Sequence, residues 1–206
     1  MNERDIRVQK TNLKLSEVFL TLLEDYWLTK ITINQICQRA NVHRTTFYKH
    51  FKDKYELLYY VSRMALKPYF ALALDMRLRE PFSSIDKTIN QQILKILHTQ
   101  KGDAKFYQVV TASFYDYFQK ELQRYEAELP TQFPFPIEVF SYVYASTICS
   151  INQWCSDYDL QLDAYYRDEI YRNLMNFHQN KTRVYDVDDC ISSVHTFMMI
   201  RKETLI

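Results

Sequence analysis

The chain has 206 residues, of which 47% are hydrophobic and 25% are charged, and this ordinary balance excludes a long disordered protein. It contains one glycine, Gly102, whereas phosphate-binding loops and dinucleotide-binding fingerprints need several, so both kinds of site are excluded. The net charge is +1 but uneven, because residues 1–60 hold ten Lys/Arg and seven Asp/Glu, a net of +3. That excess has the sign of a nucleic-acid-binding segment.

The cysteines and the N-terminus indicate the cellular compartment in which we expect the protein. The four cysteines, Cys37, Cys149, Cys155 and Cys190, lack the dense, even spacing of a disulfide framework. The first ten residues are charged and contain no apolar run, so we expect no signal peptide. No stretch of about 18 apolar residues occurs, so we expect no membrane span. These features favour a cytoplasmic protein.

Scarce glycine and only five prolines predict a chain that is mostly helix. Apolar residues at helical spacing predict a first helix over about Arg7–Asp25. Thr32–Gln35 has the form of a capping box, in which Thr and Gln satisfy each other's backbone amides at the start of a helix. Asn41 tolerates the left-handed conformation and can end that helix. A third short helix, Arg44–Phe51, follows the turn.

The next predicted element is a long helix that begins at a second capping box, Asp53–Glu56, and reaches about Arg79. The three short helices before it have the arrangement of a helix-turn-helix, with Arg44, Thr45, Tyr48 and Lys49 on the polar face of the third. A short helix of this kind can enter the major groove of DNA. The alternative is an ordinary helical corner whose charges only face solvent.

Residues at fixed spacing within this segment form a specific pattern. They are Thr32, Ile36, Ala40, Val42, Thr46, Tyr48, His50, Phe51, Lys54 and Leu57. The pattern resembles the DNA-binding signature of the TetR family of bacterial transcription regulators, over about residues 7–60. The chain departs from that signature at Asn41 in place of Gly, at Cys37 in place of Ala, and at His43 in place of a capping Ser or Thr.

The resemblance implies an all-α fold with a helix-turn-helix DNA-binding domain over residues 1–52 and a helical ligand-binding and dimerisation domain over residues 53–206. It implies a homodimeric regulator, by default a repressor, that binds a palindromic operator and responds to an effector, without a cofactor. The chain shows no catalytic constellation, so we expect no enzyme activity. The alternative is a regulator whose second domain binds a partner protein, as an activator or with a coactivator.

The resemblance also assigns DNA-binding residues. Phosphate contacts are implied for Thr32, Asn34, Tyr48, His50 and Lys54, base contacts for His43, Arg44, Thr45 and Lys49, and Thr46 belongs to the same site. Arg44 can read guanine at N7 and O6, and the methyl group of Thr45 can pack on thymine. Phosphate contacts position a protein on DNA without reading its sequence.

Further helices are predicted over about residues 83–100, 103–112, 114–125, 137–157, 163–178 and 186–202. The resemblance places the dimer interface on the last two long helices of the body, at residues 137–157 and 163–178. The candidate interface residues are Ser141, Ala145, Cys149, Tyr166, Ile170, Leu174 and Phe177. Packing of these residues inside one subunit is the alternative.

Candidate ligand-binding residues lie on the middle helices. They are Met64, Phe70, Leu97, Phe106, Tyr107, Val110, Phe114 and Tyr117. Such a pocket suits an apolar or aromatic effector with a polar group, although aromatic residues at helical spacing also build plain cores.

The sequence contains no closely spaced Cys or His pair, so no metal site is predicted. A thiol switch at Cys149 or Cys155 remains an alternative to buried structural cysteine. The tail, residues 181–206, has an apolar stripe that either covers the body or presents a surface to a partner.

Overall fold

The structure is a computed structural model that describes residues 3–124 and 136–175. All regular structure in these residues is helical, and the expected all-α fold is confirmed. The helices are α1 (Glu3–Asp25), a 3-10 helix (Leu28–Lys30), α2 (Ile33–Ala40), α3 (Arg44–His50), α4 (Lys54–Phe70), α5 (Leu74–Arg79), α6 (Pro81–Thr88), α7 (Gln91–Thr99), α8 (Ala104–Arg124), α9 (Ile137–Asp157) and α10 (Ala164–Met175).

Among the described residues, those up to Tyr171 form one compact unit, and the packing divides the chain after Tyr171. Within the described ranges, no helix combines the length and the apolar character that a membrane span requires. The helix predicted over residues 186–202 and the tail over residues 181–206 lie outside the described residues.

One apolar core joins the N-terminal helices to those that follow. Four residues of α1 are fully buried, namely Leu15, Phe19, Leu22 and Leu23. They share a cluster with Phe47 of α3, Leu57 of α4 and Phe106 of α8. The core crosses the boundary predicted after residue 52, so any division there is one of function rather than of packing.

The long helix predicted from Asp53 to about Arg79 is in fact two helices, α4 and α5. Pro68 lies in the last turn of α4 and has no backbone N–H, which weakens the helix there. The chain leaves the helix at Ala71 and restarts at Leu74. The guanidinium of Arg77 donates to the carbonyl of Leu72 at 3.0 Å and so satisfies the connecting turn.

Two other predictions of helix bounds are wrong: one predicted helix is two helices, and two predicted helices are one. The helix expected over residues 83–100 breaks at Ile89, because Asn90 caps a new helix by accepting from the amide of Ile93 at 3.0 Å. The two helices expected over residues 103–112 and 114–125 are one, α8, since no breaker separates them. The prediction for α9, Ile137–Asp157, is confirmed at both ends.

Buried polar contacts between distant segments fix the helices of the body. Arg77 is 1% exposed, and its guanidinium donates to Glu121 of α8 with Nη1 to Oε2 at 2.8 Å. The carboxylate of Asp168 on α10 accepts from the amide of Phe82 at 2.7 Å, at the start of α6. The hydroxyl of Tyr144 donates to the carbonyl of Arg77 at 2.8 Å. Each contact joins residues that lie far apart in the sequence.

Candidate nucleic-acid interface and ligand cavity

Helix α2 begins at the predicted capping box. The hydroxyl of Thr32 accepts from the amide of Gln35 at 3.2 Å, and the side-chain carbonyl of Gln35 accepts from the amide of Thr32 at 2.8 Å. The inner face carries Ile36, Cys37 and Ala40, which are buried as expected. Thr32 and Asn34 therefore lie on the outer side of the helix start, and both are exposed.

The turn between α2 and α3 follows from a single backbone requirement. Asn41 takes the left-handed conformation, with φ 48° and ψ 52°, as predicted for the residue that replaces glycine. His43 precedes α3 but makes no side-chain capping bond. The helix starts without it, since the amides of Thr46 and Phe47 donate to the carbonyl of His43 at 2.9 and 3.0 Å. The imidazole of His43 thus remains exposed beside the start of α3.

The outer face of α3 is exposed and basic. Arg44, Thr45, Tyr48 and Lys49 are all exposed, whereas Thr46 is half-buried. The guanidinium of Arg44 lies 5.9 Å from the ring centroid of Tyr48, and its Nη2 donates to the Tyr48 hydroxyl at 3.4 Å. This contact raises the pKa of Arg44. The pair holds a cation and a hydroxyl side by side, which suits a phosphate or a base edge.

An electrostatic feature of the sequence strengthens this face. No Asp or Glu occurs between Asp25 and Asp53, and the intervening residues include Lys30, Arg39, Arg44, Lys49 and Lys52. The charge count over residues 1–60 hides this run because acidic residues flank it on both sides. A helix-turn-helix without carboxylates does not repel a phosphate backbone.

A groove runs between α2 and α3. It is lined by Asn34, Cys37, Gln38, Asn41, Val42, His43 and Arg44. Three of the predicted DNA-binding residues, Asn34, His43 and Arg44, therefore share one concave surface. Their amide, imidazole and guanidinium groups are hydrogen-bonding groups of the kind that read base edges.

Two predicted phosphate ligands make contacts inside the chain. The imidazole Nδ1 of His50 lies 2.7 Å from the side-chain carbonyl of Asn12, and burial lowers the pKa of His50, with Lys49 adding to the effect. The ammonium of Lys54 donates to the carbonyls of Leu28 and Ile31 at 2.8 and 2.6 Å. Both side chains connect separate segments of the chain, so their polar atoms have a structural role within the protein before any contact with DNA.

The cap of α4 is also slightly different from the prediction. Asp53 accepts from the amides of Tyr55 and Glu56 at 2.8 Å, as a helix cap does. The carboxylate of Glu56 accepts from the amide of Lys52 rather than from that of Asp53. The cap therefore fixes the last residues before α4 as well as the helix itself.

Residues 28–61 match the family model described as bacterial regulatory proteins, tetR family. Over these residues the chain is similar to the tetR family. The matched residues contain the whole of α2, the turn and α3, together with the first half of α4. The family resemblance predicted from the sequence is confirmed.

One solved structure is similar to this chain at the level of the fold. A TetR-family transcriptional regulator from Syntrophomonas wolfei superposes with a TM-score of 0.51 at 15% identity, covering 86% of this chain and 99% of that one. A TetR family transcriptional regulator from Chloroflexus aurantiacus covers 82% of this chain and 85% of its own, at 14% identity and a TM-score of 0.36. A comparison with curated protein sequences gives no significant match.

An apolar cavity of about 120 Å³ lies between α1, α4 and helices α6 to α9. Its wall is formed by Leu20, Leu23, Leu58, Val61, Ser62, Ala65, Leu66, Tyr69, Ile85, Ile89, Ile93, Ile96, Leu97, Phe106, Tyr107, Val110, Phe114, Ile148, Cys149 and Asn152. Five of the residues predicted for ligand binding are among them, namely Leu97, Phe106, Tyr107, Val110 and Phe114. Apolar cavities of this size in protein cores stay dry and accept small apolar molecules.

Three other predicted ligand residues lie elsewhere. Met64 lines a neighbouring cavity. Phe70 and Tyr117 do not line the apolar cavity, because their rings stack on each other with centroids 4.2 Å apart. The prediction missed the contributions of α1, α6 and α9, since separate sequence segments give no sign that they meet around one space.

The turn between α7 and α8 connects this cavity to the helix-turn-helix. Gln100 is fully buried in that turn, and its side-chain carbonyl accepts from the amide of Leu28 at 2.8 Å. Its side-chain amide donates to the carbonyls of Leu23 and Tyr26 at 2.8 and 2.7 Å. One side chain thus holds both the end of α1 and the start of the 3-10 helix.

Asp103 completes this contact. Its carboxylate accepts from the amide and the hydroxyl of Thr29, both at 2.9 Å, and also from the amide of Phe106 at the start of α8. Gly102 between them has a φ of 84°, which a side chain would strain, and it packs beside Trp27. We call Gln100 and Asp103 the clasp, because together they bind the segment that leads into α2.

The predicted dimer residues fall on two different surfaces. Ser141 and Ala145 are fully buried inside the chain, and Cys149 lines the cavity, so this stripe of α9 is corrected from an interface to internal packing. On α10, Tyr166 and Ile170 are half-buried and Leu174 is exposed, whereas Phe177 lies outside the described residues. The exposed apolar residues of α9 are Val139, Tyr142, Val143 and Trp154.

The three cysteines within the described residues show no sign of a reactive site. Burial raises the pKa of Cys37, Cys149 and Cys155, which disfavours the thiolate that redox chemistry requires. In the part of the chain that the structure describes, no group of three His, Cys, Asp or Glu side chains converges on a point where a metal could bind.

Proposed function

We propose that the protein is a cytoplasmic, sequence-specific DNA-binding transcription regulator that acts as a homodimer. The observation that carries the proposal is the face of α3, where Arg44, Thr45, Tyr48 and Lys49 are exposed on a helix fixed by a defined turn. The absence of carboxylates between Asp25 and Asp53 supports it. The default sign is repression, because a protein seated on an operator excludes others from the same DNA.

The DNA-binding residues have separate roles in this proposal. His43, Arg44, Thr45 and Lys49 lie where α3 enters the major groove and read bases. The remaining set contacts phosphates or supports those that do. It comprises Thr32, Asn34, Thr46, Tyr48, His50 and Lys54. Within that set the contact falls mainly to exposed Thr32, Asn34 and Tyr48, since His50 and Lys54 are already engaged within the chain.

The proposed dimer interface uses the exposed apolar residues of α9. Val139, Tyr142 and Val143 are 49%, 62% and 44% exposed, an unusual concentration of apolar surface on one helix. Tyr165 and Leu174 add exposed apolar surface on α10, at 69% and 55%. Burying this surface against a second copy of the chain would relate two DNA-binding domains by a two-fold axis. A palindromic operator has the same symmetry.

The proposed effector site is the apolar cavity, and the clasp gives it a route to the DNA. Helices α7 and α8 line the cavity through Ile96 and Phe106, and the clasp lies in the turn between them. A ligand that separates these helices would move Gln100 and Asp103 and hence the segment leading into α2. Such a ligand changes DNA affinity only if it binds one arrangement better than the other.

Selection of bound sequences from random duplex DNA tests the proposal. We expect the purified protein to enrich a palindromic motif. On that motif, Arg44→Ala should lower affinity by about fivefold to a hundredfold and relax one base position. Lys120→Ala is the control, because Lys120 is exposed on α8, away from the DNA-binding face. A folded protein that enriches no sequence would contradict the proposal and favour a body that binds a partner protein.

A further inference from the structure

The wall of the apolar cavity contains no Asp, Glu, Lys, Arg or His. Apart from Ser62, its polar side chains are already used within the protein. The hydroxyl of Tyr69 bonds that of Tyr144, and the side-chain carbonyl of Asn152 accepts from Arg167 at 2.9 Å. Tyr107 and Cys149 likewise bond Ser156 and Thr111. A charged group placed here would lose its water and gain no counter-charge, which is strongly unfavourable.

A second cavity, of about 240 Å³, lies against the first and is more polar. Leu20, Val61, Ala65, Ile89 and Ile93 line both, so these five side chains form the partition between them. They belong to α1, α4 and α7 and to the break between α6 and α7, so the two cavities adjoin where these elements meet.

One buried polar atom that lines the second cavity has no hydrogen-bond partner. Ser16, on α1, lines this cavity and is 5% exposed, and its hydroxyl makes no hydrogen bond within the described residues. A buried hydroxyl without a partner costs free energy that a ligand can recover. The other polar side chains around it include Glu17 and Asn90, and no cationic side chain lines this cavity.

We propose that the effector is an uncharged, single-chain hydrocarbon with one hydrogen-bonding end group, such as a medium-chain alcohol. The hydrocarbon lies in the apolar cavity and crosses the partition, and the end group bonds the hydroxyl of Ser16. The same chain ending in a carboxylate binds poorly, since no cation meets it and Glu17 adds a like charge. This inference rests on the proposed effector site.

Calorimetric titration of the full chain with octanol, octanoate and octylamine at neutral pH tests the choice of end group. The three probes share a hydrocarbon chain and differ in charge. We expect octanol to bind roughly tenfold or more tightly than octanoate, because of the cost of burying a carboxylate that no cation meets. Octanol should also bind more tightly than octylamine, because Glu17, the one carboxylate that lines the second cavity, is itself exposed to solvent and compensates the buried ammonium only weakly. Octanoate or octylamine binding as tightly as octanol would overturn the proposal.

Ser16→Ala tests the position of the end group, with Ser113→Ala as a matched control. Ser113 is also buried with an unpartnered hydroxyl, but it lines neither cavity. Ser16→Ala should weaken octanol binding by about threefold to tenfold, the usual range for one hydrogen bond. Ser113→Ala should leave it unchanged. Equal effects of the two variants would contradict the assignment of Ser16.

The DNA-selection experiment separates this inference from the proposed function. If the protein enriches a palindrome but binds none of the three probes, the regulator stands and the ligand class is wrong. If octanol binds selectively but no DNA sequence is enriched, the ligand class stands and the regulator is wrong.

Discussion

The helix-turn-helix and the body differ in how far along the chain their polar contacts reach. In the helix-turn-helix, the contacts that form the caps and the outer face are local, since Thr32 bonds Gln35, Arg44 bonds Tyr48, and Asp53 bonds Tyr55 across two to four residues. The longer contacts there, from His50 to Asn12 across 38 residues and from Lys54 to Leu28 across 26, connect the motif to the preceding segments. In the body, the contact between Asp168 and Phe82 spans 86 residues, and that between Arg77 and Glu121 spans 44.

This difference explains why the helix-turn-helix can be recognised as a sequence motif and the body cannot. A cap or a left-handed turn residue must have a particular chemistry at a particular spacing, whatever surrounds it. A long-range contact needs only two compatible residues anywhere in the chain. The predictions below test whether the two regions depend on these contacts as the comparison implies.

The largest effect is expected where the body depends on a buried ion pair. Arg77→Ala should lower the free energy of unfolding by about 3–5 kcal/mol, because it leaves the Glu121 carboxylate buried without its partner. Denaturant unfolding at fixed protein concentration measures this. Lys67→Ala, at an exposed position in the last turn of α4, should cost less than about 0.5 kcal/mol. Similar losses for both would show that the body does not depend on this pair.

The next effect is expected where the two regions meet. Gln100→Leu should lower the free energy of unfolding by about 2–4 kcal/mol, because Leu28, Leu23 and Tyr26 each lose a buried hydrogen bond. It should also change affinity for the selected DNA. Gln108→Leu on the exposed face of α8 is the control for both measurements. Unchanged DNA binding in a destabilised Gln100→Leu protein would contradict the role of the clasp.

Lys54 distinguishes a structural contact from a DNA contact. Lys54→Met should lower the free energy of unfolding by about 1–3 kcal/mol, because carbonyls of Leu28 and Ile31 lose their donor. Lys87→Met, exposed on α6, is the stability control. The salt dependence of DNA affinity should be unchanged. A phosphate contact would instead reduce the slope of log affinity against log salt by about one.

The smallest effect concerns pH. The pKa of His50 in the folded chain is below its ordinary value of 6.5, mainly because of burial, so the unfolded chain takes up the proton first. The stability that neutral His50 contributes is present above pH 6.5 and is lost as the pH falls through the folded pKa. Unfolding of the native protein and of His50→Gln across this range measures it. If the native protein instead became more stable relative to His50→Gln as the pH falls, the predicted direction of the pH dependence would be wrong.

Much of the fold was predictable because helical periodicity is local. The bounds of α9, the cap at Thr32 and the left-handed Asn41 all follow from neighbouring residues. The errors have the same origin. The division of the helix at Ile89 depends on Asn90 acting as a cap, and the break after Phe70 depends on Arg77 reaching back to Leu72.

By itself, the sequence determined the helix-turn-helix, its TetR-family signature and the residues that its outer face presents, because the signals for these lie within a few positions of one another. The tertiary structure alone decided that Lys54 and His50 are engaged within the chain, that Ser141 and Ala145 face inward, and that Gln100 joins α1 to the 3-10 helix. It also decided the shape of the cavity, whose wall comes from six helices. These features depend on which distant surfaces pack together, and no local pattern encodes that choice.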